Sequence, residues 1–302
     1  MADDRQPSQL IDALEDYTDE YYSASSAYND NANVLRFLNA EQKALVRDIS
    51  SRDRGWFLAH ADYDIVANQR EYALPDDLET IKTLEILNGN TTNSNFRGGL
   101  ISILPFSDRS AVEIGVNTTR LPWGQVTLRD NYLYVMPLPT SSLTNAWRLH
   151  YIKKPIDMAT GTASAGGDDY ITLPASATLG TIQSTDRYYV NAKVITTGGT
   201  GSGQIRTCEA YTGSTRKLEV SENWSPNPDS TTTFEILSQL PANHLEVLLL
   251  GASRRLASRD ADRQGWPANW RQDYEEAYNR LMKHVNRRQV QQAATRQHTP
   301  IH

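Results

Sequence analysis

The 302-residue sequence has a single cysteine, Cys208, so no disulfide can form within the chain, and a reducing compartment suits it. It has no run of about 18 apolar residues, the length that a bilayer-crossing helix needs. It opens on MADDRQPSQL, acidic and polar where a secretion or transit signal is basic and apolar. Together these absences predict a soluble, intracellular protein without a membrane span. A basic excess is missing too. Thirty Lys and Arg face 36 Asp and Glu, a formal net charge of −6, which argues against general binding to nucleic acid or anionic membrane.

Local charge is more uneven than this total. No acidic residue follows Glu276, while Arg280, Lys283, Arg287, Arg288 and Arg296 do. At the other end, Asp3, Asp4, Asp12, Glu15, Asp16, Asp19, Glu20 and Asp30 are opposed by Arg5 alone. Two readings fit: both ends are solvated and frayed, or one or both dock on a partner of opposite sign.

The usual signatures of catalysis are also lacking. Gly198, Gly199, Gly201 and Gly203 crowd one short stretch, but Gln204 follows where a phosphate loop needs Lys-Ser/Thr and a helix. The next residues, IRTCEAY, alternate like a strand, so the glycines read as a loop between two strands. The six histidines show no metal-ligand spacing and no cysteine partner, so neither a metal nor a cofactor is expected. No Gly-x-Ser-x-Gly elbow stands between a strand and a helix. Cys208 lies in a strand pattern and reads as a buried thiol. The carboxylate pairs Asp76-Asp77 and Asp168-Asp169 fall in turn-like contexts, where Asp bonds its own backbone. Fifteen Tyr and six Trp against five Phe suit either interfaces or half-buried strands.

What the chain does contain is organised, and its length suggests about two domains. Residues 8–22 form a short acidic helix with Leu10, Ile11 and Leu14 on one side. A second helix runs from Val34, with Asn39 as an N-cap, Gln42 three residues on, and Leu45 and Ile49 in its buried stripe. Short strands and turns follow, with a hairpin at Asn68-Gln69, a turn at Asp130-Asn131, and Trp147, Leu149 and Tyr151 on one strand face. A second β-rich stretch, 179–238, is bracketed by the similar sequences ITLPASATL and SQLPANHLEVL and reads as an insertion. After Pro241 the pattern is helical again. Leu245, Leu248, Leu249, Ala252 and Leu256 form one stripe, and Trp270, Tyr274, Ala277, Tyr278, Leu281 and Val285 form another. These helices are expected to form an antiparallel hairpin that packs on the Leu45–Ile49 helix. The fold class is therefore α+β. A helical bundle, made of an N-terminal helix and a C-terminal helix hairpin, carries an antiparallel β-domain at about 56–156. The adaptable boundaries are an acidic segment at 1–32, a core of 33–178 and 239–286, the inserted module at 179–238, and a flexible basic tail at 287–302.

With that pattern the chain resembles the head-to-tail adaptor proteins of tailed bacteriophages. FLNAEQKALVRDIS is similar to the family's first helix, and ANQREYALPDDLETI to its Tyr-x-Leu-Pro turn and strand. LRDNYLYVMPLPTSSLTNAWRLHYIKKP resembles its Pro-x-Pro turn between strands, and LPANHLEVLLLGASRRL its helix after Leu-Pro. Residues 179–238 resemble a small β-module that recurs as an insertion in phage structural proteins. The resemblance implies a non-enzymatic virion protein at the head–tail junction, made in the host cytoplasm. It implies a homo-oligomeric ring of twelve copies below the portal, through which DNA passes, with a nozzle, stopper or tail tube as the next component. It also implies portal docking through the C-terminal segment, which makes Lys283, Arg287, Arg288, Gln291, Arg296 and His298 the candidates. Two other readings stay open. One is a tail-associated peptidoglycan hydrolase using Asp76 or Asp168; the other is a carbohydrate-binding tail protein with Trp224 and nearby tyrosines as its platform.

Overall fold

A computed structural model describes residues 4–18, 31–52, 55–87, 100–101, 103–108, 125–136, 138–257 and 268–297. The chain forms two compact units, Arg54–Lys154 and the remainder, Met1–Asp53 with Pro155–His302.

The Arg54–Lys154 unit is built from β1 (Leu58–Ile65), β2 (Glu71–Ala73), β3 (Leu78–Ile86), β4 (Leu100–Ile101), β5 (Ile103–Pro105), β6 (Gln125–Arg129), β7 (Tyr132–Met136) and β8 (Leu143–Lys153). They form two four-stranded sheets, ordered β1-β8-β3-β4 and β2-β7-β6-β5. Alternation on β8 sends Trp147, Leu149 and Tyr151 into a core shared with Tyr72, Val126, Leu133 and Val135 of the second sheet. Arg148 and His150 take the other face, where Arg148 grips Asp62 at 2.7 and 2.8 Å. Two expectations change here. The chain does turn at Asn68, which has a φ of 64°, but β1 pairs with β8 and β2 with β7, so this turn crosses between sheets instead of closing a hairpin. The sheets are also not wholly antiparallel, because β5 runs parallel to β6.

In the other unit, β9 (Ala159–Thr162), β10 (Ala165–Gly166), β11 (Tyr170–Thr172), β12 (Lys193–Gly198), β13 (Ile205–Thr212), β14 (Lys217–Val220) and β15 (Thr233–Ile236) form one sheet ordered β10-β11-β14-β13-β12-β15-β9. Its two ends, β9 and β10, are one nearly continuous stretch of chain, so the sheet returns on itself like a barrel. The β-rich region therefore starts at residue 159, and the boundary read at 179 is corrected: β9 to β11 are strands of this sheet. Its core includes Cys208, Trp224, Phe234 and three tyrosines, Tyr188, Tyr189 and Tyr211, whose rings meet edge to face at 5.0 and 4.8 Å. Their hydroxyls are satisfied by backbone. Tyr189 receives the Gln183 N–H at 3.1 Å, and Tyr211 donates to the Gln183 carbonyl at 2.5 Å. Burial raises all three phenol pKa values, that of Tyr211 to about 12.

Among the described residues, four α-helices accompany this barrel: α1 (Pro7–Thr18), α2 (Asn31–Arg52), α3 (Leu245–Ala257) and α4 (Ala268–Gln297). Leu10, Ile11 and Leu14 of α1 are buried, and Glu235 of β15 accepts from the N–H and hydroxyl of Ser8 at the helix start, at 3.3 and 3.1 Å. Residues 7–18 thus belong to the folded unit, and are not a separate acidic segment. α2 begins at Asn31, eight residues before the expected cap. Asn39 instead sits mid-helix, 8% exposed. Its amide donates to the Met158 carbonyl at 2.9 Å and accepts from the Met158 N–H at 2.8 Å, as a neighbouring strand would. One turn on, Gln42 donates to the Ile156 carbonyl at 2.7 Å and accepts from Ser238 Oγ at 2.6 Å and the Gln239 N–H at 3.2 Å. Both ends of the barrel segment are thereby tied to one helix face. α3 is buried almost all round, with Val247, Leu248, Leu250 and Ala252 at 0% exposure, and not on a single stripe. α4 runs on through Gln297, so residues 287–297 of the flexible tail expected at 287–302 continue this helix, and the rest of it lies outside the described residues. Among the described residues, no helix is long and apolar enough to cross a membrane.

The amide ties give a direct prediction. Asn39→Leu keeps the branched shape but leaves both polar groups of Met158 buried and unpaired, a loss of about 2–4 kcal/mol. Urea denaturation compared with the wild type measures it, and a loss below about 1 kcal/mol would show that the pairing adds little.

Candidate docking surface

α4 has two faces. Ala277, Leu281, Met282 and Val285 are buried, and Trp270, Tyr274 and Tyr278 are half-buried beside them. At 100° per residue the opposite face carries Arg280, Lys283 and Arg287, all exposed. This is where the structure places the first two docking candidates, Lys283 and Arg287. Arg288, Gln291 and Arg296 follow on the last turns of the same helix, and His298 lies outside the described residues. Of the expected helix-packing residues, Leu45, Ile49, Leu245, Leu248 and Leu281 are buried, while Leu249, Leu256, Trp270 and Tyr274 are half-buried.

The attachment of α4 turns on a group the sequence reading passed over. Glu41 of α2 is 1% exposed. Its carboxylate accepts from Arg255 Nε of α3 at 2.7 Å and from the Tyr274 hydroxyl of α4 at 3.0 Å. One buried anion thus joins three helices. Burial and the Glu41 charge hold the Tyr274 phenol well above its ordinary pKa, which keeps it protonated and donating. Arg254 stacks over the Tyr274 ring at 5.3 Å, and Tyr278 donates to Asp48 of α2 at 3.2 Å. On the outer side Arg280 reaches Glu246 of α3 at 2.5 Å. The space for the Glu41 carboxylate comes from Gly251 of α3, where an added Cβ would lie 2.3 Å from Glu41 Oε1. Two signals pointed this way: Glu41 shares the α2 face with Leu38 and Leu45, and a glycine interrupts an otherwise leucine-rich helix.

The other candidate positions are occupied by structural bonds. Asp77 is 1% exposed and held by the Tyr151 hydroxyl at 2.7 Å, with Lys153 Nζ at 3.7 Å. Asp76 offers its backbone carbonyl to Lys154. Asp168 accepts from the Asn227 amide, and its carbonyl from the Trp224 N–H at 2.7 Å. Trp224 is 2% exposed beneath Arg206, so the platform expected for a sugar is closed. The clustered glycines connect β12 to β13. At Gly199, φ is 72° and a Cβ would meet the Thr231 carbonyl at 2.2 Å, a constraint of backbone packing and not of phosphate. Among the described residues, no group of three His, Cys, Asp or Glu is placed to hold a metal ion. In the Arg54–Lys154 unit lie all the large apolar side chains that are exposed among the described residues: Leu58, Val66, Leu100, Leu128, Tyr132 and Leu138.

The sequence model of the SU10 adaptor protein family matches residues 7–181, more than half of the chain. The chain belongs to the SU10 adaptor family. It is therefore an adaptor-type structural protein of a bacteriophage, a virion component that works with other head and tail parts. No curated protein matches the adaptor. The matched span takes in α1, α2, the two four-stranded sheets and β9 to β11; α3 and α4 of the adaptor lie beyond it.

Alanine at a helical glycine ordinarily stabilises by about 1 kcal/mol. In Gly251→Ala the sign should reverse, because the new methyl drives Glu41 from Arg255 and Tyr274, with a net loss of about 2–3 kcal/mol. Thermal unfolding reads this directly, and a raised midpoint would contradict the three-helix role of Glu41.

Proposed function

We propose that this adaptor forms a closed ring of twelve copies beneath the portal, at the junction of head and tail. It joins the DNA-filled head to a nozzle, stopper or tail tube and leaves a channel for DNA. Membership of the adaptor family is the observation that carries the reading. Docking on the portal is assigned to the C-terminal helix through Lys283, Arg287, Arg288, Gln291, Arg296 and His298. Supporting this, Lys283 and Arg287 stand exposed on the face opposite the buried stripe, and no acid follows Glu276 to offset them. Contacts between copies are assigned to the Arg54–Lys154 sheets, where the exposed apolar side chains concentrate. A net charge of −6 disfavours adhesion of passing DNA. The barrel is assigned a surface contact with capsid or fibre.

Truncation after Val285 tests the docking role, because it keeps buried Leu281, Met282 and Val285 and removes the following turns. The truncated protein is expected to fold with an unchanged unfolding midpoint and to lose portal binding in negative-stain images and pull-down. Undiminished binding would remove the role given to Arg287, Arg288 and Arg296.

A further inference from the structure

We propose that His244, packed against His284, is a proton-operated latch, which fastens the C-terminal half of α4 to the entry of α3 while the His244 ring is neutral and loosens it when that ring is charged. His244 closes the 3₁₀ turn Ala242–His244 that leads into α3, and His284 lies on α4. Their ring centroids are 5.0 Å apart, at 60°. The Nε2 atom of His244 is buried and has no hydrogen-bond partner. A neutral imidazole tolerates this by carrying its proton on Nδ1 and leaving a lone pair at Nε2. The cation would have to bury an N–H there with nothing to receive it.

The surrounding charges do not relieve that cost. From α4, Arg280 and His284 face the ring; from α3 the charged neighbour is Glu246, whose carboxylate is already engaged by Arg280 at 2.5 Å. Burial first, then His284 and Arg280, lower the pKa of His244 from its ordinary 6.5. The sign follows. The released state takes up the proton more readily than the latched one, so the latch is intact above about pH 6.5 and weakens as pH falls toward the lowered value. Lys283 and Arg287 flank His284, so on the docking role proposed above, which this one consequence assumes, acid would free the portal-facing turns from their support.

Hydrogen exchange of the full-length protein tests the latch without any portal. Amides of residues 280–287 are followed at pH 7.5 and 5.5, corrected for intrinsic exchange, in the wild type and in His244→Gln. His244 is half-buried at the end of a 3₁₀ turn, and glutamine is polar and of similar reach, so the variant is expected to fold. Wild-type protection in this segment should drop about fivefold or more at the lower pH, and in the variant by less than about twofold, with α3 unchanged in both. An equal response in the two proteins, no response in the wild type, or an equal loss across α3 would each overturn the proposal. If the latch behaves as expected while the Val285 truncation still binds portal, only the docking role fails.

Discussion

A buried backbone that leaves one element must find partners in another, and here two side-chain amides supply them. Asn39 and Gln42, a turn apart on α2, bond to the chain as it enters the barrel at 156–158 and as it leaves at 238–239. Those stretches belong to neither a helix nor a strand, and the amides are the partners of the Met158 N–H and C=O, the Ile156 C=O and the Gln239 N–H. The rest of the unit depends on this. α3 begins a few residues after the second tie, α4 packs on α3, and α1 is capped by Glu235 from the last barrel strand.

Another side of the same helix does a second task through charge. Asn39, Glu41 and Gln42 are polar residues where apolar ones are ordinary, and each is fully engaged across an interface. A carboxylate between helices is costly unless paired, and the Arg255 and Tyr274 bonds pair it at both oxygens. This requirement also fixes how closely α3 may approach, through the missing side chain of Gly251. Register between helices is thereby set by directional bonds as well as by leucine packing.

Much of the fold was legible where the pattern is local. The alternation at Trp147, Leu149 and Tyr151 gave β8 its inward face, and the spacing from Trp270 to Val285 gave α4 its buried side. What failed was non-local. Asparagine favours an N-cap, and only the chain at Met158 reveals why Asn39 lies inside a helix. A turn at Asn68 looks the same whether it closes a hairpin or carries the chain to another sheet. β9, with the sequence Ala-Thr-Gly-Thr, has no apolar alternation and becomes a strand through its pairing with β15. Of the docking candidates, the basic stripe was visible as a charge asymmetry, whereas its support at Glu41 needed three separate helices to be brought together.

The returning sheet has a consequence for a virion component that works among other structural parts. Crowded neighbours exchange strands wherever a ribbon ends with its amides unspent, and such errors propagate. The two end strands of this sheet, β9 and β10, are only four and two residues long and follow one another in the chain, so they give a misplaced segment little to graft onto.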